Sequence, residues 1–272
     1  MNITISERYL TLPRAALLRA IERETGLHVR SLLGTPTGNP KLAKSLKLRV
    51  LSYPLHLAPA TLGAPAAKPR ATVCPAATPG CIQACLHTAG NPAYMKGKRA
   101  ARRARTLLFW QRKDLFFALL MLEIRAAAAK ARRKRMRAAF RLNATSDIQW
   151  ERFLINGRPL IAETFRRLSF YDYTKIPGRS APENYSLVFS LAETPRNRRA
   201  ARAELAAGRN VAAVFATPRN RPLPDTLWGY PVIDGDEHDY IPADPVNVVR
   251  GLHAKGAAIG DASGFVLAGV AS

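Results

Sequence analysis

Three cysteines, Cys74, Cys81 and Cys85, fall within twelve residues in a stretch rich in Pro, Ala and Gly. Pro75, Pro79 and Gly80 lie between them and can turn the chain back on itself. Three thiolates so arranged can hold three irons of a 4Fe–4S cluster and leave the fourth open to a substrate or to S-adenosylmethionine. With His87, the same thiols would make a Cys3His zinc site. They can also be three plain loop cysteines, because free Cys packs well as a small hydrophobe. The spacing, six residues and then three, is standard for neither metal. An odd, clustered set is a poor disulfide framework and points to a reducing cytoplasm.

A second group of reactive residues stands at the ends of short apolar runs. AAFRLN (138–143) delivers Asn143 and runs into Ser146 and Asp147. SFYDYT (169–174) carries Asp172 and runs into Lys175, and YSLVFS (185–190) ends on Ser190. YPVID (230–234) ends on Asp234 and opens into Asp236 and His238, while VNVVRGLHA (246–254) leads to Lys255. Asn and Asp inside a buried strand are costly without partners. Read as one rim, the set makes Asp172, Lys175 and His238 the candidate catalytic residues, with Lys175 or His238 shuttling protons. Asn143, Ser146, Asp147, Ser190, Asp234, Asp236 and Lys255 would then bind substrate. Helix capping is the plain alternative for each Ser, Asp or Asn. The carboxylates of 234–239 could also hold Mg²⁺ in a nuclease-like site, or form an acidic turn. Their spacing is not that of an EF-hand.

Charge is the third signal. The chain of 272 residues has 42 Lys+Arg against 19 Asp+Glu, a net +23, and residues 91–137 hold 15 of the cations and 2 of the acids. A balance this basic points to a polyanionic partner and says nothing of the fold. Arg102, Arg103, Arg105, Arg132, Arg133, Lys134, Arg135 and Arg137 are the candidate phosphate contacts, on what reads as one long basic helix from about 96 to 137. A solvated face or a helix lying on a membrane surface are the alternatives. Phe109, Trp110, Phe116 and Phe117 could stack on bases, but their spacing is that of core residues.

These residues need a scaffold. Hydrophobic residues make up 47% of the chain, enough to exclude wholesale disorder. No apolar run is long enough to span a bilayer, and MNITISERYL has no signal-peptide core. LPRAALLRAIERETG reads as a helix stopped at Gly26, so residues 1–35 form a helical leader. Residues 36–272 then form one domain with a cysteine loop at 58–94. LKLRVLSYPLHL (46–57) is a strand broken at Pro54, and residues 159–167 and 194–208 are helical patches between later strands. Strands alternating with helices predict an α/β fold with mostly parallel strands, a complete or partial (β/α) barrel, or else a doubly wound open sheet. There is no GxxxxGK[ST], GxGxxG, GxSxG or HExxH segment.

TGNPK (37–41), HLAPA (56–60), CPAATPGCIQACLHTAG (74–90), FRLNATSD (140–147), FYDYTK (170–175), VIDGDEHD (232–239), GLHAKG (251–256) and DASGFV (261–266) resemble, in this order, an uncharacterised protein family of bacterial viruses and prophages. The resemblance implies a phage-related setting in a bacterial cytoplasm and carries no catalytic residues with it. At the level of fold, three cysteines in a loop after the first strand also look like radical S-adenosylmethionine enzymes, which space them x3 then x2. Three functions are therefore expected in turn. The first is an iron–sulfur protein acting on a nucleic acid or nucleotide, by base or nucleotide modification. The others are a non-catalytic nucleic-acid-binding protein with structural zinc or no metal, and a Mg²⁺-dependent nuclease.

Overall fold

The computed structural model describes residues 1–85 and 96–268; His87 lies outside them. The chain runs β1 (Asn2–Ile3), α1 (Glu7–Thr11), α2 (Arg14–Thr25), α3 (Pro40–Lys44), β2 (Val50–Pro54), α4 (Pro79–Gln83), α5 (Lys96–Gln111) and α6 (Lys113–Arg133). It continues with β3 (Arg137–Arg141), β4 (Leu154–Ile155), β5 (Arg158–Pro159), β6 (Ser169–Thr174), β7 (Tyr185–Ser190) and α7 (Pro195–Ala206). β8 (Val211–Phe215), β9 (Thr226–Leu227), β10 (Tyr230–Asp234), β11 (Val249–His253) and β12 (Val266–Leu267) complete it.

Nine strands form one sheet in the order β2-β3-β6-β7-β8-β11-β10-β9, with β12 beside β8. Every pairing is parallel except β9 with β10. Among the described residues no pairing joins β2 to the far edge, so the sheet is open and a complete barrel is not formed. β7 pairs with β8 only at Phe189↔Val211 and Ser190↔Ala212; beyond that point β12 takes its place through Val266↔Val214 and Leu267↔Phe215.

The two faces of the sheet differ because side chains alternate along each strand. Leu51, Tyr53, Phe140 and Phe170 face the larger hydrophobic core, packed with α2, α5 and α6. Val211, Ala213, Phe215 and Val249 face α7. The opposite face carries Val50, Ala139, Tyr171, Val188 and Ala212, covered by Tyr240 and Ile241. Residues 235–244 thus fill the space that a closed barrel would enclose. From α3, Lys44 Nζ donates to Asp236 O at 2.7 Å, and the Lys41 ammonium lies 3.4 Å from the Asp236 carboxylate.

The long basic helix of the sequence reading is two helices. The chain breaks at Arg112 (φ −140, ψ 74), whose guanidinium meets Glu24 at 2.6 Å and Asp114 at 2.8 Å. The cause lies in the middle of the run. Leu115 to Ile124 is apolar nearly all round, so α6 is buried as core and three of its five basic residues fall in its last turn. Phe109, Phe116 and Phe117 are buried core rings around Trp150. Arg137 belongs to β3, not to a helix.

The expected leader helix is α2, ended by Gly26 in the left-handed conformation at φ 68. The leader packs into the main core through Ile3, Ile5, Tyr9, Leu17 and Ile21. Glu123 of α6 clamps it, accepting from Leu32 N and Leu33 N at 2.9 Å each and from Arg14 at 3.0 Å. The patch 159–167 is not a regular helix: β5 ends at Pro159, and only one wide turn, Leu160–Thr164, follows. No described helix is long and apolar enough to cross a membrane.

Candidate functional site

The loop after β2 is led back over the carboxyl edge of the sheet by the turn after β3. Leu55 N donates to Arg141 O at 2.8 Å, Thr145 Oγ1 to Leu57 O at 2.6 Å and Asp147 N to Val73 O at 2.8 Å. Ala58 N donates to Thr106 Oγ1 of α5 at 2.8 Å, an approach open only to glycine at position 63, where a Cβ would stand 2.4 Å from the Thr106 methyl. Cys74 therefore sits against this turn, its sulfur accepting from Ala60 N at 3.4 Å. Ten residues of further chain would wander if α4 were free. Instead Glu193, in the turn after β7, accepts from Thr78 Oγ1 at 2.7 Å and from Gly80 N at 2.9 Å. Thr78 in turn caps α4 by accepting from Cys81 N at 3.2 Å. Cys81 then packs among Ala84, Val214, Ala254 and Phe265, at the ends of β8 and β11.

None of the three cysteines forms a disulfide. Burial pushes the Cys74 thiol up to about 12, helped by the nearby Cys85 and Cys81. The mutual effect places the three sulfurs in one electrostatic neighbourhood. They stand wider than a single-ion site: among the described residues, the group whose ligand atoms all lie within 4.8 Å of one another is Asp234, Asp236 and His253.

Cations face the thiols. Burial lowers Arg102, and Cys85 opposes that shift. Arg105 donates through Nε to Ser31 O at 2.6 Å. Burial, together with Arg102, Arg141 and Arg105, pushes His56 down to about 3, so it is neutral at physiological pH. Its Nδ1 is buried with no partner among the described residues, as are the Tyr173 hydroxyl and Arg141 Nε. Arg141 lies 4.8 Å over the Tyr173 ring and pairs with Asp239 at 2.7 Å. Burial opposes the charge on Asp239, yet Arg141 and Lys41 hold its carboxyl well below the usual range. The sequence reading missed His56, Arg141 and Tyr173, and took Asp239 only as one of the 234–239 carboxylates. A signal was there: Arg141 ends a strand, as Ser190 does, and His56 stands two residues past the end of β2.

The predicted residues divide. Lys175 and Ser190 come together, Nζ to Oγ at 2.6 Å, with Lys175 5.1 Å over the Phe265 ring beside the Cys81 cluster. Asn143, Ser146, Asp147 and Asp172 instead build the turn itself. Asn143 Oδ1 accepts from Ser146 Oγ at 2.8 Å, Ile148 N at 2.9 Å and Trp150 Nε1 at 3.0 Å. Asp147 accepts from Lys175 N at 2.8 Å and meets Arg179 at 3.2 Å. Asp172 points away from Tyr171 and Tyr173, accepting from Asn143 N at 2.7 Å and Tyr185 Oη at 2.8 Å. It is a positioning residue.

Burial raises the Asp172 carboxyl to about 7 from 3.8, against the pull of its two donors. A folded value above the unfolded one favours the protonated folded form. Its contribution to stability is fully present below about pH 4, declines from about pH 4 to 7, and is gone above. That gap amounts to on the order of 4 kcal/mol. Asp172→Asn keeps the shape and an acceptor. It is expected to flatten this decline, so that its stability relative to wild type rises across pH 4 to 7 in urea titrations. A parallel pH profile for the two proteins would contradict the assignment.

Asp239 ties the 234–239 segment to Arg141. Lys255 meets Asp236 at 2.6 Å, and the Asp236 carboxyl is held below its ordinary value by Lys41 and Lys255, although burial opposes this. Asp234 is exposed and accepts from Asp236 N at 2.7 Å. His253 Nδ1 donates to Thr217 O at 2.9 Å, which leaves Nε2 as the acceptor. Two ammonium groups thus already engage the central carboxylate of the candidate Mg²⁺ site. His238 pairs with Asp244 at 3.7 Å, and its principal charged neighbours are Arg250, Asp244, Glu237 and Lys41.

The basic residues separate as well. Arg102 and Arg105 turn partly inward at the carboxyl edge, and Arg103 is exposed. Arg132, Arg133, Lys134, Arg135 and Arg137 are exposed at the opposite end of the sheet, where β3 begins.

A family model described as Gene product 88 matches residues 31–269. No curated protein and no solved structure matches the chain, so the likeness to radical S-adenosylmethionine enzymes gains no support.

Proposed function

Because the chain belongs to the Gene product 88 family, a phage-type family, we propose its function from the site alone. Cys74, Cys81 and Cys85 hold an iron–sulfur cluster at the carboxyl edge of an incompletely closed βα barrel. An anionic nucleotide, free or within a nucleic acid, is modified in the cationic recess beside it. The observation that carries this reading is that three unbridged thiols of one loop influence one another, with Arg102 beside Cys85 and with Arg102 and Arg141 around His56.

The donor set fits the group. Three soft sulfur ligands suit iron–sulfur or zinc. When bound, such a cluster supplies one-electron chemistry at an iron that the protein leaves open to substrate or S-adenosylmethionine. Around it, Arg102 and Arg141 present guanidinium donors to phosphate oxygens. His56, neutral at physiological pH, offers a ring nitrogen as hydrogen-bond partner without adding charge. Lys175, held on Ser190, can lend a proton toward the recess. α4 and Phe265 cover the edge and limit water. Thiols without a disulfide suit a reducing bacterial cytoplasm.

Anaerobic reconstitution of the full chain with iron and sulfide is the test. About four irons per chain with visible charge-transfer absorbance is expected. One tightly held zinc, or no metal after reconstitution, overturns the reading and leaves the non-catalytic nucleic-acid-binding alternative.

A further inference from the structure

We propose that the amino-terminal rim of the large sheet is a docking surface for duplex nucleic acid. It lies at the end of the sheet opposite the thiols and does not depend on the cluster reading. Strand register builds it. Val50 pairs with Arg137, and Ala139 with Ser169. The residues leading into β2, β3 and β6 therefore line up across neighbouring strands about 4.8 Å apart. Lys47 and Arg49 precede β2, the run 132–137 opens β3, and Arg166 and Arg167 precede β6. These cations are exposed, and residues 45–50, 132–138 and 165–169 contain no Asp or Glu.

The backbone adds an independent observation. Arg49 and Arg135 both adopt left-handed φ values, 55 and 52, where glycine is the favoured residue. They touch: Arg49 Nη2 donates to Arg135 O at 2.8 Å, and Arg137 N donates to Arg49 O at 2.9 Å. Arginine at both positions costs conformational energy and gains, within the chain, one hydrogen bond. A helix dipole accounts for Arg132 and Arg133 at the end of α6. It does not account for Arg49, Arg166 or Arg167, which belong to other elements.

The occupant follows from what the rim lacks. The exposed large apolar residues, Met1, Leu62, Ile82, Val246 and Ile259, all lie outside these segments. A membrane surface would want an apolar wedge among the cations. Single strands would want exposed rings for stacking, and these three segments expose no aromatic residue. Duplex phosphates need only a row of guanidinium and ammonium groups, and bind them without regard to sequence.

The experiment measures binding of the full chain to a duplex of arbitrary sequence from about 50 to 200 mM salt, with phosphatidylserine vesicles as the competing surface. Arg49→Gly/Arg135→Gly is expected to weaken duplex binding about tenfold and to make the slope of log K against log salt shallower by about 2. Its thermal midpoint should match or exceed wild type, because glycine relieves the left-handed backbone. Arg166→Gln/Arg167→Gln should shift affinity and slope in the same direction, and it decides the matter alone if the glycine variant fails to fold. Cys81→Ser should bind duplex as wild type does, even if it takes up no iron. Unchanged affinity in the rim variants, binding to vesicles without binding to duplex, or loss of duplex binding in Cys81→Ser would each overturn the proposal.

Discussion

Cys81→Ser and Cys85→Ser are each expected to remove nearly all iron from anaerobically reconstituted protein while leaving the fold intact. Iron and sulfide per chain, read with visible absorbance, measure the first outcome, and far-UV circular dichroism the second. The separation of effects has a structural reason. Cys81 is only partly buried, and α4 is held by Thr78 and Glu193 rather than by the thiol. Cys74 differs. Its sulfur accepts from Ala60 N and packs against the main core, so Cys74→Ser should cost some stability in addition to iron. Glu193→Ala keeps all three sulfurs but releases α4 from the turn after β7. It should lower loading several-fold without abolishing it. Full loading of Cys81→Ser would sink the ligand assignment.

Removing Asp244 should be the most damaging single change to stability. Arg250 and Asp244 form an ion pair in which each side chain is 1% exposed. Arg250 Nη2 also donates to Gly235 O at 2.9 Å and to His238 O, so one guanidinium ties β11 to the segment that fills the inner face. Asp244→Ala leaves that cation buried without its counter-ion, which typically costs about 3–5 kcal/mol. Urea unfolding should show the extrapolated free energy fall by that amount, and the midpoint by that amount divided by the slope, with little change in the slope itself. Replacing both partners, as Arg250→Met/Asp244→Leu, should recover much of the loss, because no uncompensated charge remains. A loss below about 1 kcal/mol in Asp244→Ala would mean that the pair is solvated in solution.

The strands were legible from the chain because their signals are local. SFYDYT, YSLVFS and YPVID are β6, β7 and β10 at the expected residues, and α2 stops at Gly26 as its sequence requires. The basic run misled for a physical reason. Charge density was read along the sequence, whereas the apolar middle of the run is buried as core, and that burial divides its cations between two ends of the sheet. Asn143 and Asp172 show the converse. Their polarity marked them as costly to bury, and they are buried, but the partners that satisfy them are a backbone turn and Tyr185 rather than a ligand. Arg166 and Arg167 lie outside the run, and only the register of β3 with β6 sets them beside Arg137.

The order of residues by itself determined the alternation of strands and helices, the three thiols on one loop, the excess of positive charge and the family. Each depends on composition or on neighbours along the chain. Only the tertiary structure decided that the sheet stays open, that Glu193 carries α4 across its carboxyl edge, and that His56, Arg141 and Asp239 meet behind the thiols. These depend on contacts between residues far apart in the chain, such as Arg141 with Asp239 and Gly80 with Glu193. Burial and charge pairing select such contacts only once the whole core has formed.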